Sequence, residues 1–584
     1  MLSPAPAQAA PATIAWQDWS ATTFDQAQRE RKFVFLYLEA VWCHWCHVMQ
    51  AETLSDAAVQ ARLQRNYLSV RVDHDADPLL ARRYRNWGWP ALIFLAPDGT
   101  EIVKRAGYQS PQDFARLLDA IVADPAPEAE TGPAASTAAA SANERLPPSM
   151  RAELQALHRE HHDTQRGGLR TAQRYLDRNS VEWGLTLAAV GDDQQRRRTQ
   201  QTLDAARALI DPVWGGVYQY STGGRWDQPH YEKIMRSQAG VLRAYALAYG
   251  VWRRPQDRRA ADAIVDYLLG MLRDPSGAFS VSQDADLVRG RKAHDYFALD
   301  DAGRRRLGIP RIDRTLYADA NGQAVEALAT LNEFSGDLRA LAAARAAAAW
   351  VLQHRGLDGG GFRHGERDAG GPYLSDTLAM ARACLALYRA TAERIWLQRA
   401  IAAADFIGLH FRGEAGGFLT AARARTPVSP LPDLEENIST SRFLKLLHHY
   451  SGRPQHLEWA RHGQRYLTQP QIARTPFEEA GILLADAEFG ADPAHVVVVG
   501  SKQDAQAQAL YATALRIPGW YKRVEWWDRS EGPLPNDDVP YPVFPRAAAY
   551  VCAQRRCSAP SFDAAVFRER ATALLAASAP GERR

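Results

Sequence analysis

The sequence predicts an α+β multidomain chain: a small N-terminal α/β domain, a large body of helical hairpins and a small C-terminal α/β segment. Three observations predict it. A chain of 584 residues exceeds what a single hydrophobic core supports. Its first 122 residues alternate short apolar runs with amphipathic stretches, and from about 150 to 470 Ala- and Leu-rich text is interrupted by a recurring Gly turn.

In the first domain, KFVFLYLEA (32–40) reads as a buried strand and CHVMQAETLSDAAVQARLQRN (46–66) as an amphipathic helix. YLSVRVDHD (67–75) is a second strand, and PALIFLAPDGTEIVKRAGY (90–108) a hairpin turning at Asp98-Gly99. SPQDFARLLDAIV (110–122) closes the domain as a helix capped by Ser110 with Pro111 in its first turn. Residues 123–148 are rich in Ala, Pro, Ser and Glu and read as a linker. The domains are thus expected at 13–122, 149–474 and 475–584.

The Gly turns are QRGGLRT at 165, VWGGVYQ at 213, PSGAFSV at 275, DGGGFRH at 358 and EAGGFLT at 414. Their starts lie 48, 62, 83 and 56 residues apart, and the long interval leaves room for a degenerate copy at RTLYADANGQAV (314–325). Such a repeat fits stacked helical hairpins, either an open solenoid or a closed toroid. Acidic and aromatic residues beside the turns favour an (α/α)6 toroid with a polar mouth. In the C-terminal segment, HVVVVG (495–500) reads as a buried strand before a helix.

Lys plus Arg (70) nearly balances Asp plus Glu (67), for a formal charge of +3. No global field calls for nucleic acid or an anionic membrane. No apolar run approaches the roughly 18 residues of a spanning helix, and the N-terminus lacks a charged and an apolar signal region. The expectation is a soluble, cytoplasmic protein. Five cysteines are too few for a disulfide scaffold in so long a chain.

Two of them stand in Cys43-His44-Trp45-Cys46-His47, a pattern open to thiol redox chemistry, haem attachment or half of a metal site. Haem attachment calls for an export context, and a zinc site for two more ligands, for which Cys552 and Cys557 are the candidates. At the mouth of a helix after a buried strand, Cys43 gains from free amide donors that favour its thiolate, the form that attacks a disulfide. Pro90, just before a strand, stands where thioredoxin-like folds set a cis-proline against the thiol pair. This reading makes Cys43 the exchanging and Cys46 the resolving thiol. It needs no cofactor and no metal, and its partner is a disulfide-containing protein or a small thiol.

In the helical body, RWDQPHYEK (225–233) holds Trp226, Asp227, His230 and Glu232 within seven positions, and SQDAD adds Asp284 and Asp286. Paired carboxylates with a histidine suit glycosidase or epimerase chemistry. Trp214, Tyr218 and Trp226 offer faces on which a sugar stacks. His230, Glu232, Asp284 and Asp286 are therefore candidate catalytic groups; Pro90, Trp226, Asp227 and Asn321 are candidate substrate contacts, for a carbohydrate-like ligand. The rival reading is a non-enzymatic scaffold with a regulatory thiol pair.

WCHWCHVM (42–49), VRVDHDADP (70–78) and GWPALIFLAPDG (88–99) resemble the thioredoxin-like module of the spermatogenesis-associated protein 20 family. The resemblance extends to GGVYQYSTGGRWDQPHYEKIMRSQAGVLRAY (215–245), SVSQDAD (280–286), VVVVG (496–500) and AYVCAQRRCSAP (549–560). It implies a thioredoxin-like domain joined to an α/α toroid similar to six-hairpin glycosidases and sugar epimerases. The chain departs from that pattern at Asp73-His74-Asp75-Ala76-Asp77-Pro78, where two arginines are usual, and at RTAQRYL (170–176). YADANG (317–322) keeps Asn321 and Gly322 and lacks a Trp. If residues 123–148 form a tether, limited proteolysis cuts there first and releases the 13–122 domain; resistance there, with cutting elsewhere, shows that the segment is packed.

Overall fold

The computed structural model describes residues 13–128, 143–366, 368, 370–422, 428–519 and 521–577. The middle of the expected tether, 129–142, lies outside the described residues.

The first module runs β1 (Trp16–Gln17), α1 (Ala21–Glu30), β2 (Phe33–Glu39), α2 (His44–Val48), α3 (Ala57–Asn66), β3 (Tyr67–Asp73), α4 (Pro78–Arg83), β4 (Ala91–Leu95), β5 (Glu101–Ala106) and α5 (Pro111–Ala123). Its strands order as β1-β3-β2-β4-β5, with β2 parallel to β3 and antiparallel to β4. Central β2 is covered on both faces, which is why its sequence is a continuous apolar run. Val34, Leu36 and Leu38 enter one core, and Phe35 and Tyr37 the other. Ser110 caps α5 by accepting the Asp113 amide at 3.2 Å, and the Trp89–Pro90 peptide is cis. This is a thioredoxin-like domain.

The helical body opens with α6 (Pro148–His161), α7 (Arg178–Ala189) and α8 (Asp193–Ala206). Short strands β6 (Tyr220–Ser221), β7 (Pro229–His230) and β8 (Lys233–Ile234) lead into α9 (Met235–Trp252) and α10 (Pro255–Tyr267). An insertion follows: β9 (Ser282–Gln283), α11 (His294–Phe297), α12 (Asp301–Leu307) and β10 (Ile312–Asp313). Then come α13 (Ala318–Ser335), α14 (Leu338–Arg355), α15 (Leu374–Thr391), α16 (Arg394–His410), α17 (Leu434–Ser451), α18 (Pro454–Leu467), α19 (Pro470–Ala473) and α20 (Glu479–Phe489).

Helices α7, α9, α13, α15, α17 and α20 pack side by side in that order, and α20 returns to α7. Outside them lie α8, α10, α14, α16 and α18, while α6, first in sequence, lies against α20. The ring closes on itself, so the body is an (α/α)6 toroid and not an open solenoid. The sequence reading ends the toroid at 474; the contacts of α20 place residues 479–489 in the ring. Asp486 fastens the closure, accepting hydrogen bonds from the Leu146 amide at 2.8 Å, Arg145 Nε at 2.9 Å and Arg151 Nε at 2.8 Å.

Each Gly turn carries the chain from an outer helix to the next inner one and is closed by a backbone bridge, such as Ile210 to Val217 and Arg412 to Phe418. At Gly215, φ is 69° and an added Cβ would meet the Ala263 carbonyl at 2.0 Å, so glycine is required there. The apolar residue after the turn is gripped by an amide of the inner helix: Gln238 holds Val217, Asn321 holds Phe279 and Asn437 holds Phe418. The copy expected at 314–325 is instead the start of α13, and the sixth connection runs through α19. The long interval holds the inserted segment 282–313.

The centre of the ring is charged. Arg243 pairs with Glu182 and with Glu326 (3.1 Å), Arg382 with Glu326 (2.8 Å), and Arg442 with Glu182 and Glu488 (2.7 Å each). At one end Arg82 of the thioredoxin-like module reaches Glu436 at 3.3 Å. At the other, Lys522 reaches Glu333 at 3.2 Å. Lys522 belongs to the C-terminal module, β11 (Ala494–Val499), α21 (Ala505–Leu515), β12 (Lys522–Trp527), β13 (Ala548–Ala553), β14 (Arg556–Cys557) and α22 (Ala564–Ala577), with strand order β12-β11-β13-β14. Among the described residues, no helix is long and apolar enough to cross a membrane.

Asp486→Asn removes the charge that two arginines and an amide share, and is expected to destabilise the protein by about 2 kcal/mol. Chemical denaturation checks this, and an unchanged midpoint would show that the ring closes without that clasp.

Candidate functional site at the boundary of module and toroid

The thiol motif follows β2. Cys43 is the N-cap of α2, and its Sγ accepts the Cys46 amide at 3.2 Å. The two cysteines form a disulfide. Cys46 has no exposed surface and Cys43 retains 4%. Both pack with Trp42 against Ile234, a toroid residue of β8. The thiol pair thus sits against the toroid wall.

Pairing of β8 with β9 explains the surroundings. Lys233 faces Gln283 and Ile234 faces Ser282, and the next step of that antiparallel register sets Glu232 beside Asp284. Asp286 Oδ1 accepts from His44 Nδ1 at 2.7 Å, and Oδ2 accepts from His47 Nδ1 at 3.0 Å and from the Gly290 amide at 2.8 Å. His47 Nε2 donates to the Val41 carbonyl at 3.0 Å. Burial opposes the Asp286 charge, but these histidine and amide hydrogen bonds outweigh it and hold the carboxyl at about 2. Asp284 Oδ1 accepts the Asp286 amide at 2.9 Å. Burial, joined by the Asp286 and Glu232 charges against the pull of His47, pushes Asp284 up to about 6. Glu232 is buried, and its Oε2 accepts no hydrogen bond among the described residues.

A second seat lies on the loop after β3. Trp42 Nε1 donates to Asp75 Oδ2 at 2.7 Å, and His364 of the toroid donates from Nε2 to the Asp75 carbonyl at 2.7 Å. His364 Nδ1 donates to Asp376 Oδ1 at 2.9 Å. Burial disfavours the imidazolium, yet Asp376 and Asp319 overcome that and raise His364 to about 10. The loop 73–78 is therefore the docking loop, with Asp77 capping α4 through the Leu80 amide at 3.0 Å.

Among the described residues, two groups bring metal-ligand atoms within 4.8 Å of one another: His47, Asp284 and Asp286, and Asp319, His364 and Asp376. In each, both histidine nitrogens face acceptors already, Val41 and Asp286 for His47, Asp75 and Asp376 for His364. The first group joins module to toroid, and the second, wholly in the toroid, reaches the module through the Asp75 carbonyl. Cys552 and Cys557 pair with each other across β13 and β14, so they do not complete a zinc site with the thiol motif.

Of the candidate residues, Cys43, Cys46, Glu232, Asp284 and Asp286 converge here. Pro90 is buried at the start of β4, beside the strand that leads to the motif. His230 stacks on Tyr220 at 4.5 Å, with its Nδ1 3.8 Å from Glu232. Five others lie elsewhere. Trp226 is buried against Gly168, its Nε1 donating to the Arg166 carbonyl at 2.9 Å; it offers no open stacking face. Tyr218 lies in the helical core, and Trp214 donates to Asp301 at 2.7 Å. Asp227 is exposed and paired with Arg225 at 2.6 Å. Asn321 has no exposed surface, and its amide is spent on Phe279 and Tyr317. Sequence reasoning missed His364, Asp376 and the Arg82 end of the axial ion pairs.

Residues 2–122 match a family model described as a protein of unknown function, DUF255 (thioredoxin, DsbH). Spermatogenesis-associated protein 20 of Rattus norvegicus is 26% identical over 307 residues, 47% of this chain and 39% of that protein. The chain thus spans about two-fifths of the length of the curated relatives it matches. Thiol:disulfide interchange protein DsbD 1 of Pseudomonas aeruginosa is 39% identical over 80 residues, 13% of each chain. A crystal structure of D-mannose isomerase aligns with 58% of this chain and 96% of its own at a TM-score of 0.46 and 12% identity. The thioredoxin-like module carries the DUF255 match, and the chain resembles the spermatogenesis-associated protein 20 family.

Proposed function

We propose that the chain is a thiol–disulfide oxidoreductase that works at the wall of a toroid holding a small carbohydrate-like ligand. The observation that supports it is the Cys46 amide aimed at Cys43 Sγ at 3.2 Å, a hydrogen bond that favours the thiolate. In the reduced protein the Cys43 thiolate attacks one sulfur of a partner disulfide, forming a mixed disulfide and releasing the other sulfur as a thiolate. Cys46, having lost its proton, then attacks Cys43 Sγ. The Cys43–Cys46 disulfide forms, and the partner leaves with two electrons and two thiols. A small disulfide needs little room, whereas a protein disulfide reaches Cys43 only once the module lifts from Ile234 and Asp286.

Two measurements test this reading. With Cys46→Ser, incubation with a small disulfide traps a mixed disulfide on Cys43, read by mass spectrometry; absence of the adduct would sink the assignment. Asp286→Asn weakens the hold on His44 and His47, and alkylation of reduced Cys43 by iodoacetamide is expected to accelerate about tenfold, the equivalent of one charge-assisted hydrogen bond. An unchanged rate would mean that docking does not shield the thiol.

A further inference from the structure

The axial charges of the toroid balance at one level and not at the next. Inside the ring, Arg243, Arg382 and Arg442 face Glu182, Glu326 and Glu488. Nearer the thioredoxin-like module, Arg82, Arg178 and Arg236 all converge on Glu435. The other acid at this level is Glu436, which lies 3.3 Å from Arg82. Burial, opposed by Arg82 and reinforced by Asp433 and Glu435, pushes Glu436 up to about 8. Of the neighbouring acids, Asp433 pairs with Arg85 at 2.9 Å, Asp177 caps the Ser180 amide at 2.8 Å, and burial together with Glu435 raises Glu478 to about 8. Three guanidiniums thus meet at Glu435, with Glu436 beside Arg82.

These groups enclose a cavity of about 100 Å³. Arg178 and Arg236 keep 36% and 39% of their side-chain surface accessible, and both line this cavity. Two further groups lining it, Glu436 Oε2 and Ser375 Oγ, are buried and make no hydrogen bond among the described residues. The first turns of α7, α9, α15 and α17 also converge here, adding the positive ends of four helix dipoles. A second chamber of about 310 Å³ shares Arg178, Asn179, Arg236 and Glu435 with the first and is lined by Tyr175 and Tyr220.

The geometry points to an oxyanion site in the axial cavity, taking a phosphate group held by Arg82, Arg178 and Arg236 with Ser375 donating a hydrogen bond. Three guanidiniums converging from the module and from two inner helices match the oxygens of a phosphate group. The adjoining chamber has room for a small hydroxylated body carrying that group. The site takes its roof from the thioredoxin-like module through Arg82, so it is complete only in the docked protein. The inference names a ligand for the toroid and so rests in part on the proposed function; it is read by binding, which reports nothing of thiol exchange.

Isothermal titration calorimetry of the full chain at fixed ionic strength tests it, with inorganic phosphate, glucose 6-phosphate and glucose as probes. One saturable site is expected for the two phosphates and none for glucose. Tighter binding of glucose 6-phosphate identifies an ester as the ligand, and equal binding identifies the free anion. Arg236→Gln is expected to weaken phosphate binding at least about tenfold, the loss of one charge-assisted contact. It should also leave the ligand-free melting temperature unchanged or higher, because a like charge is removed while Glu435 keeps Arg178. Should Arg236→Gln fail to fold, Arg178→Gln carries the same expectation. Absence of saturable phosphate binding, or parental binding by the arginine variant, would overturn the proposal.

Discussion

The ion pairs along the toroid axis are the constraint on which the other features depend. Six inner helices that met through small apolar residues alone would close their centre, as tightly packed interiors do. Here the inner faces carry Arg and Glu, and each buried charge is tolerable only while its partner stays in place. Glu182 is tied to both Arg243 and Arg442, and Arg243 passes the constraint to Glu326. No inner helix can slide without stranding a charge on its neighbour. Separate pairs at the two ends, Arg82 with Glu436 and Lys522 with Glu333, tie the flanking modules to the same inner helices. Charged groups also leave space between them, and that is why the axis holds cavities.

Docking of the thioredoxin-like module changes what the acidic residues of the toroid mean. Asp284 and Asp286 read in sequence as a carboxylate pair beside a Gly turn, the pattern of a hydrolytic site. In the fold they sit on an insertion between α10 and α13, and Asp286 spends both oxygens on His44, His47 and the Gly290 amide. The apolar part of the contact is Ile234 against the cysteines, Leu79 against Tyr373 and Ala421, and Val428 against the core of the module. A seat made mainly of charge-assisted hydrogen bonds selects one orientation strongly. It adds less net stability, because desolvation offsets much of the attraction.

How much was legible follows from what each signal encodes. The β2 run, the Ser110 cap, the hairpin turn and the Gly-pair punctuation are local patterns, and each marks its element in the structure. Ring closure is not local: α6 and α20 are over 300 residues apart, and nothing in either helix announces its partner. Trp226 and Asn321 misled for a related reason. An aromatic or an amide beside a turn suits a ligand or suits the core, and only the fold shows that Asn321 grips Phe279. The axial charges did leave a trace. Arg236 and Arg243, Glu326 and Glu333, Arg382 and Arg389, and Glu435 and Arg442 stand seven apart on otherwise Ala- and Leu-rich helices, a polar stripe on the face expected to be buried.

His364 and Asp286 set a pH range for the seat. His364 is raised above its unfolded value, so its contribution is complete below about pH 6.5 and is lost as pH climbs through about 10. Asp286 is depressed, so its contribution is complete above about pH 4 and is lost as pH falls through about 2. Asp284 titrates between them at about 6. Its native value is raised, so the native state holds a proton that the unfolded chain has released, and stability declines as pH rises through that value. The charge that appears on Asp284 lies 3.7 Å from His47, on the helix that bears Cys46. Asp286 stays ionised while this one carboxyl changes state, so a proton can come or go beside the thiol pair while His44 and His47 keep their acceptor.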